Sequence, residues 1–251
     1  MIIAEVGLNH LGDKNYANQY VDKIINSKPD GITFQVREKN FYSNPTFSNL
    51  LLPNEYYTDI IKKIKKNNIK FGIALSDENF LAFFEELNVD FYKVLSKDIT
   101  NLPFISKLID TKKRIFISTG MSNIHEISRL VEFAKANNRL TLIHTQLTHN
   151  INDINLKAIP MLRKKFGLPV AFGNHSTNVN VLYLALAFEP SDLFFYLKGN
   201  RAESHPDEEH AIPLNELNQV LNNLRELTKS IGEPVKLEMD NIIEKGYDKK
   251  T

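Results

Sequence analysis

Six of the seven histidines in this 251-residue chain stand at or just beyond the ends of short apolar runs, among Lys, Arg, Asn and Ser. Glu5 is in the first run and is followed by Asn9, His10 and Asp13. Gln35 and Arg37 close the second, Ser76 and Asp77 the third, and Lys93, Ser96 and Lys97 the fourth. Ser118-Thr119-Gly120-Met121 closes the fifth, while His144, Gln146, His149 and later Asn155 follow the sixth. Asn174-His175-Ser176 ends the seventh; Lys198, Asn200, Arg201, His205 and His210 follow the eighth. Cations and neutral donors outnumber carboxylates here, which suits an anionic, hydroxyl-rich guest such as a sugar or phosphate ester. His175 is the best single candidate, because Gly173 beside it lets backbone approach a ligand closely.

Each of these signals also has a purely structural explanation. Glu5 and Lys93 lie within strands and need partners, so they could pair with each other or with Arg37 as barrel cement. The Ser118-Thr119 hydroxyls read as caps for the helix that follows. His144 in an apolar strand reads as a satisfied core histidine, and Lys97, Lys112 and Lys113 read as solvated surface.

Positioning these residues requires a regular scaffold, and the pattern provides one. Apolar runs Ile2–Val6, Gly31–Val36, Ile69–Leu75, Val89–Leu95, Arg114–Ser118, Leu140–His144, Leu168–Phe172 and Asp192–Leu197 alternate with amphipathic stretches. Those stretches predict helices over Tyr16–Ile25, Tyr56–Ile64, Glu78–Leu87, Pro103–Ile109, Ile124–Ala136, Ile159–Phe166, Val179–Phe188 and Leu214–Ile231. In Tyr56–Ile64, Tyr57, Ile60, Ile61 and Ile64 form one stripe at helical spacing. The runs are apolar on both faces, as parallel strands buried between a core and covering helices must be. Eight such pairs predict an α/β fold, a single-domain (β/α)8 TIM barrel over residues 1–240, with a charged tail at 241–251. Chemistry in that fold gathers at the carboxyl ends of the strands, where the polar layer falls. The wide loop Glu38–Leu52, with Phe41, Tyr42, Pro45 and Phe47, is placed to cover a pocket.

Composition excludes several classes. Lys and Arg total 31 against 30 Asp and Glu, a net charge of +1, which argues against a nucleic-acid partner. Zero cysteines exclude disulfides, a thiolate nucleophile and thiolate-bound metal. Neither a signal peptide nor a membrane-spanning run is visible, so a cytoplasmic protein without a membrane partner is expected.

The motifs Ile2-Ile3-Ala4-Glu5-Val6-Gly7-Leu8-Asn9-His10-Leu11-Gly12-Asp13 and Ser118-Thr119-Gly120-Met121-Ser122 resemble the sialic acid synthase (NeuB-type) family. Phe34-Gln35, Tyr92-Lys93-Val94 with Ser96, Asn155-Leu156 and Phe172-Gly173-Asn174-His175-Ser176 match in the same order, over about residues 2 to 235. The resemblance implies condensation of phosphoenolpyruvate (PEP) with an N-acylmannosamine-like aldose, aided by a divalent metal, Mn or Mg, as Lewis acid. It implies that Lys93, Ser96 and Asn155 hold PEP, that Gln35 contacts the sugar, and that Glu5 is the carboxylate beside the reacting carbons. Asn9, His10 and His210 join the binding set by the same carry-over, and His175 is the retained metal ligand. A homodimer is likewise implied.

This sequence departs from the family at Thr33-Phe34-Gln35, where a Lys is lost, and at Tyr196-Leu197-Lys198, where Lys198 replaces the second metal histidine. The acidic Asp207-Glu208-Glu209-His210 stands for a further family motif, and the C-terminal antifreeze-like domain has no counterpart. Three readings stay open. Lys198 could supply the charge of the metal and make the condensation metal-independent, or His149, His205 and His210 could rebuild a metal site with His175. Alternatively, the barrel has altered carbohydrate chemistry or a non-catalytic sugar- or anion-binding role.

Overall fold

The computed structural model describes residues 1–135 and 138–236. The expected tail, 241–251, and the expected helix end at Ala136 lie outside them. The order of elements is β1 (Ile2–Gly7), α1 (Lys14–Ser27), β2 (Gly31–Val36), α2 (Lys39–Tyr42), α3 (Asn54–Lys66) and β3 (Lys70–Leu75). α4 (Leu81–Glu86), β4 (Phe91–Val94), α5 (Leu102–Asp110), β5 (Arg114–Ser118), α6 (Ile124–Phe133) and β6 (Leu140–His144) follow. The chain then runs through α7 (Ala158–Phe166), β7 (Val170–Asn174), α8 (Asn180–Ala185), β8 (Leu193–Lys198), the short β9 (Ile212–Pro213) and α9 (Leu217–Ile231). Strands β1 to β8 pair in sequence order, all parallel, and β1 returns to β8 from Ile2↔Leu193 to Glu5↔Tyr196, closing a (β/α)8 barrel.

All eight expected strands are present, and differences are confined to their ends. The helix expected over Glu78–Leu87 starts as a 3-10 turn at Glu78–Phe80, and that over Leu214–Ile231 starts as one at Leu214–Glu216. β9 and α2 were not expected: both are too short to show a period. Among the described residues no helix is long and apolar enough to cross a membrane.

The interior is layered, and the layering places the site. Ile3, Phe91, Phe116, Ile143, Ala171 and Phe194 pack together inside the barrel as a floor, apart from the larger apolar layer between strands and helices. Successive inward side chains on a strand are two residues apart. One step above the floor, therefore, Ile3 leads to Glu5, Phe91 to Lys93, Phe116 to Ser118 and Phe194 to Tyr196. Below the floor, Arg114 pairs with the buried Asp192 at 2.5 Å.

Two glycines permit the tight path at the mouth. Gly7 and Gly12 have positive φ (+55° and +72°), a region that favours glycine. A β-carbon on Gly12 would overlap the Asn49 carbonyl, so the loop before α1 and the wide loop before α3 touch backbone to backbone. Within that wide loop Phe41 stacks on Phe47 at 4.5 Å and Arg37 lies over Phe41 at 4.3 Å.

Candidate active site at the barrel mouth

The deepest polar feature is an ion pair. Lys93 Nζ lies 2.5 Å from Glu5 Oε2, and the Thr33 hydroxyl donates to the same oxygen at 3.1 Å. Both charged residues are buried, with relative exposures of 5% for Lys93 and 2% for Glu5. Arg37 does not join them; it pairs with Glu38 at 3.1 Å. The pair is thus internal cement in the sense anticipated above, and also a charged group at the base of the mouth. Lys93 Nζ lies 5.3 Å from the centre of the Tyr196 ring, which is itself 5.6 Å from His175 and 5.2 Å from His210. Glu5, Lys93, Tyr196, His175 and His210 therefore form one contiguous group.

Above Tyr196 lies a cavity of about 460 Å³ lined by His149, His175, Asp207, Glu208 and His210 among others. The His175 and His210 rings stack at 4.2 Å, and His149 extends the stack with 5.6 Å to His210. Burial first, then the neighbouring His210, Lys93 and His149, hold the His175 imidazole down at about 2, far below its ordinary value. His210 falls to about 4, again through burial and then His149 and Lys93. Both rings are neutral at pH 7 and can accept as well as donate. Both ring nitrogens of His210 are buried without a hydrogen-bond partner.

Asp207 is the other unusual carboxyl. Its backbone N–H donates to Asn9 Oδ1 at 3.0 Å, while Asn9 Nδ2 donates to the Leu197 carbonyl at 2.8 Å. Asn9 is therefore fully occupied holding the loop after β8 over the end of β1. Burial, and then the Glu5 carboxylate, raise Asp207 to about 7, with Lys93 and Arg37 opposing. The result is an acid that can carry or release a proton near neutrality.

A hydroxyl group of contacts lines the opposite side. Ser96 Oγ and Ser118 Oγ are 2.6 Å apart, and the Gly120 N–H donates to Ser96 at 3.2 Å. Ser118 and Thr119 do not cap the next helix. Thr119 donates to the Ile143 carbonyl, and Asn123 caps α6 in a capping box with Glu126. The hydroxyls are thereby left at the strand ends.

The remaining expected residues are more dispersed. Gln35 is buried on β2. His10 is fully enclosed, accepting from the Gly12 N–H at 2.9 Å and stacking on Phe34 at 5.8 Å. Burial lowers it to about 3, and its Nε2 has no partner. His144 is a satisfied core histidine, its Nε2 2.8 Å from the Ile154 carbonyl. Asn155 is exposed in a left-handed conformation (φ +50°) and donates to the Asp153 carbonyl. His205 also borders the histidine cavity, with its Nε2 2.8 Å from the Tyr16 hydroxyl. Lys198 does not line the histidine cavity: its Nζ lies 3.7 Å from Glu208 and its side chain borders a separate cavity beside α1. Tyr196 and Asp207 went unrecognised from sequence. Strand alternation from Phe194 could have pointed to Tyr196; Asp207 stands in the acidic motif matched above, but its place over the end of β1 is set by the sequence-distant Asn9.

The donor set speaks to a divalent metal as well. The His175 and His210 rings are face to face, Lys198 is engaged elsewhere, and among the described residues no group of three His, Asp or Glu is arranged to hold an ion. Hard divalent cations want several oxygen or imidazole donors converging on one point. The residues at this mouth do not fit that requirement.

Comparison with known proteins accords with the fold. Residues 18–236 match the NeuB family. The chain is 29% identical to the N,N'-diacetyllegionaminic acid synthase of Campylobacter jejuni over 94% of this chain and 78% of that protein. It is 30% identical to an uncharacterised protein of Methanocaldococcus jannaschii over 97% of this chain and 76% of that one. Among solved structures, the sialic acid synthetase of Leptospira borgpetersenii, in complex with citrate, superposes with a TM-score of 0.87 at 25% identity, covering 100% of this chain and 92% of that one.

Proposed function

Because this chain belongs to the NeuB family, we propose that it is a sugar-acid synthase that joins PEP to an N-acylmannosamine-like aldose. Carbon 3 of the enol would bond to the aldehyde carbon, the aldehyde oxygen would take a proton, and water would add at carbon 2 of PEP. Loss of phosphate from that carbon then leaves a 2-keto sugar acid. The observation that carries the reading is the buried Glu5–Lys93 pair beneath a cavity that holds the near-neutral acid Asp207.

The roles follow from the chemistry of the groups. Lys93 is a desolvated cation able to hold a carboxylate or phosphate, with Ser96, Ser118 and the Gly120 N–H as neutral donors beside it. Protonated Asp207 can donate to an oxygen on which negative charge develops, and Glu5 can orient the water. The neutral, stacked imidazoles of His175 and His210 form an uncharged wall of the cavity against which a polyhydroxylated substrate can pack. No step needs the metal that the donor set does not fit. The altered-chemistry reading keeps one observation of its own, the exposed Asn155 turned to the Asp153 carbonyl.

Phosphate release from PEP with a panel of N-acylated hexosamines, each with and without Mn²⁺, tests the proposal. The expected result is release that depends on the sugar and persists in chelator. Absence of PEP binding by calorimetry refutes it.

A further inference from the structure

On the side of β8 away from the histidine cavity lies a second pocket, of about 540 Å³, where α1 meets the segment leading into α9. Its polar lining is Gln19 and Lys23 from α1, Lys198 from the end of β8, Asn200, and Asn215, with Leu214 supplying an apolar wall. No carboxylate lines it. The lining carries two cations and three carboxamides, and Glu208, 3.7 Å from Lys198, stands outside it, so the lining itself offers positive charge and hydrogen-bonding capacity.

The pocket wall is rigid rather than a gap between mobile loops. The Tyr20 hydroxyl accepts from the Gly199 N–H at 2.6 Å, and the Tyr16 hydroxyl accepts from the Arg201 N–H at 3.3 Å. A β-carbon on Gly199 would collide with the Tyr16 hydroxyl, so this stretch is pinned directly onto α1. β9 pairs with β8 through Lys198↔Pro213, holding the opposite wall in register. Gln19 and Lys23 are one helical turn apart and so present one face to the pocket. The volume is that of a site for a small ligand.

We propose that this pocket is a second binding site, for a phosphorylated sugar, with Lys23 and Lys198 on the phosphate and Gln19, Asn200 and Asn215 on the hydroxyls. The site is linked to the mouth. Lys198 also faces Glu208 at 3.7 Å, and Glu208 follows Asp207 in the loop that covers the histidine cavity. A phosphate on Lys198 competes with Glu208 and changes the restraint on that loop, so occupancy of one pocket is felt in the other.

The test is calorimetric titration of the intact chain with a hexose 6-phosphate, inorganic phosphate and the neutral hexose. The expected result is saturable binding of the phosphate ester, weaker binding of phosphate, and none of the hexose. Lys23→Ala and Lys198→Ala should each weaken the ester by about tenfold or more, the loss expected for one charge-assisted contact. Ser96→Ala, at the mouth, should leave this binding unchanged. Circular dichroism melts confirm that each variant is folded; Lys23 is a helix-surface residue whose removal leaves the core intact. Three outcomes overturn the proposal. They are no saturable binding of the ester, binding lost in Ser96→Ala but retained in Lys23→Ala, and equal binding of the neutral hexose. None of these depends on PEP turnover, so the proposal stands or falls separately from the synthase reading.

Discussion

Replacing Lys93 by Met removes the charge and keeps most of the volume, leaving the Glu5 carboxylate buried with one hydrogen bond from Thr33. At 2.5 Å and an effective dielectric of about 20, the gross attraction in the pair is about 7 kcal/mol, before the desolvation of both ions is subtracted. Breaking a buried pair by deleting one partner leaves the other charge uncompensated and costs about 3–5 kcal/mol. Here Asp207 adds a second acid to the same region, which places the expected loss in the upper half of that range. Urea denaturation at pH 7 measures it. The double variant Glu5→Leu/Lys93→Met should recover most of the loss, since an apolar replacement of both partners is often nearly neutral. If Lys93→Met alone costs less than about 1 kcal/mol, the pair is not the desolvated, interdependent unit described, and the charge assigned to the base of the mouth is wrong.

Asp207→Asn tests the raised acid. A carboxyl whose folded value stands at about 7 rather than 3.8 binds its proton more tightly when folded, so its contribution to stability is lost as pH rises through that window. The Asn variant should therefore gain on the order of 2 kcal/mol relative to wild type at pH 8, with little difference at pH 4, by denaturant midpoints. His210→Gln carries the opposite sign. A histidine lowered to about 4 sheds its proton on folding, so stability falls as pH drops below 6.5. The variant should show a shallower acid-side decline between pH 6.5 and 4, and an unchanged slope would contradict a neutral, desolvated ring. Gly12→Ala should cost about 2–4 kcal/mol in thermal or urea unfolding, because its β-carbon meets the Asn49 carbonyl at a positive φ.

The barrel was legible in the sequence because its signals are local. Short continuous apolar runs and helical stripes depend on neighbours a few residues away, and eight of each in alternation leave few other topologies. The same logic located the mouth: residues at strand ends in such a barrel face one side, and Glu5, Lys93, Ser96 and His175 were identified on that ground. Element ends were less legible, as with the 3-10 starts at Glu78 and Leu214, since the first turn of a helix obeys capping and packing rather than a period.

Tertiary structure decided which of those residues act on one another. Glu5 and Lys93 are 88 positions apart, and their pairing exists because β1 and β4 face across one floor. Lys198 shares the inward phase of Phe194 and Tyr196, yet its side chain is turned to Glu208 and a pocket beside α1, an outcome no alternation predicts. Asp207, a loop residue in sequence, becomes a near-neutral acid through Asn9, burial and Glu5. Periodicity is a property of the chain, whereas desolvation and charge proximity are properties of the space the folded chain encloses. The amino-acid order therefore determined the barrel and the face that carries the candidate site, and only closure of the barrel determined which charges meet there.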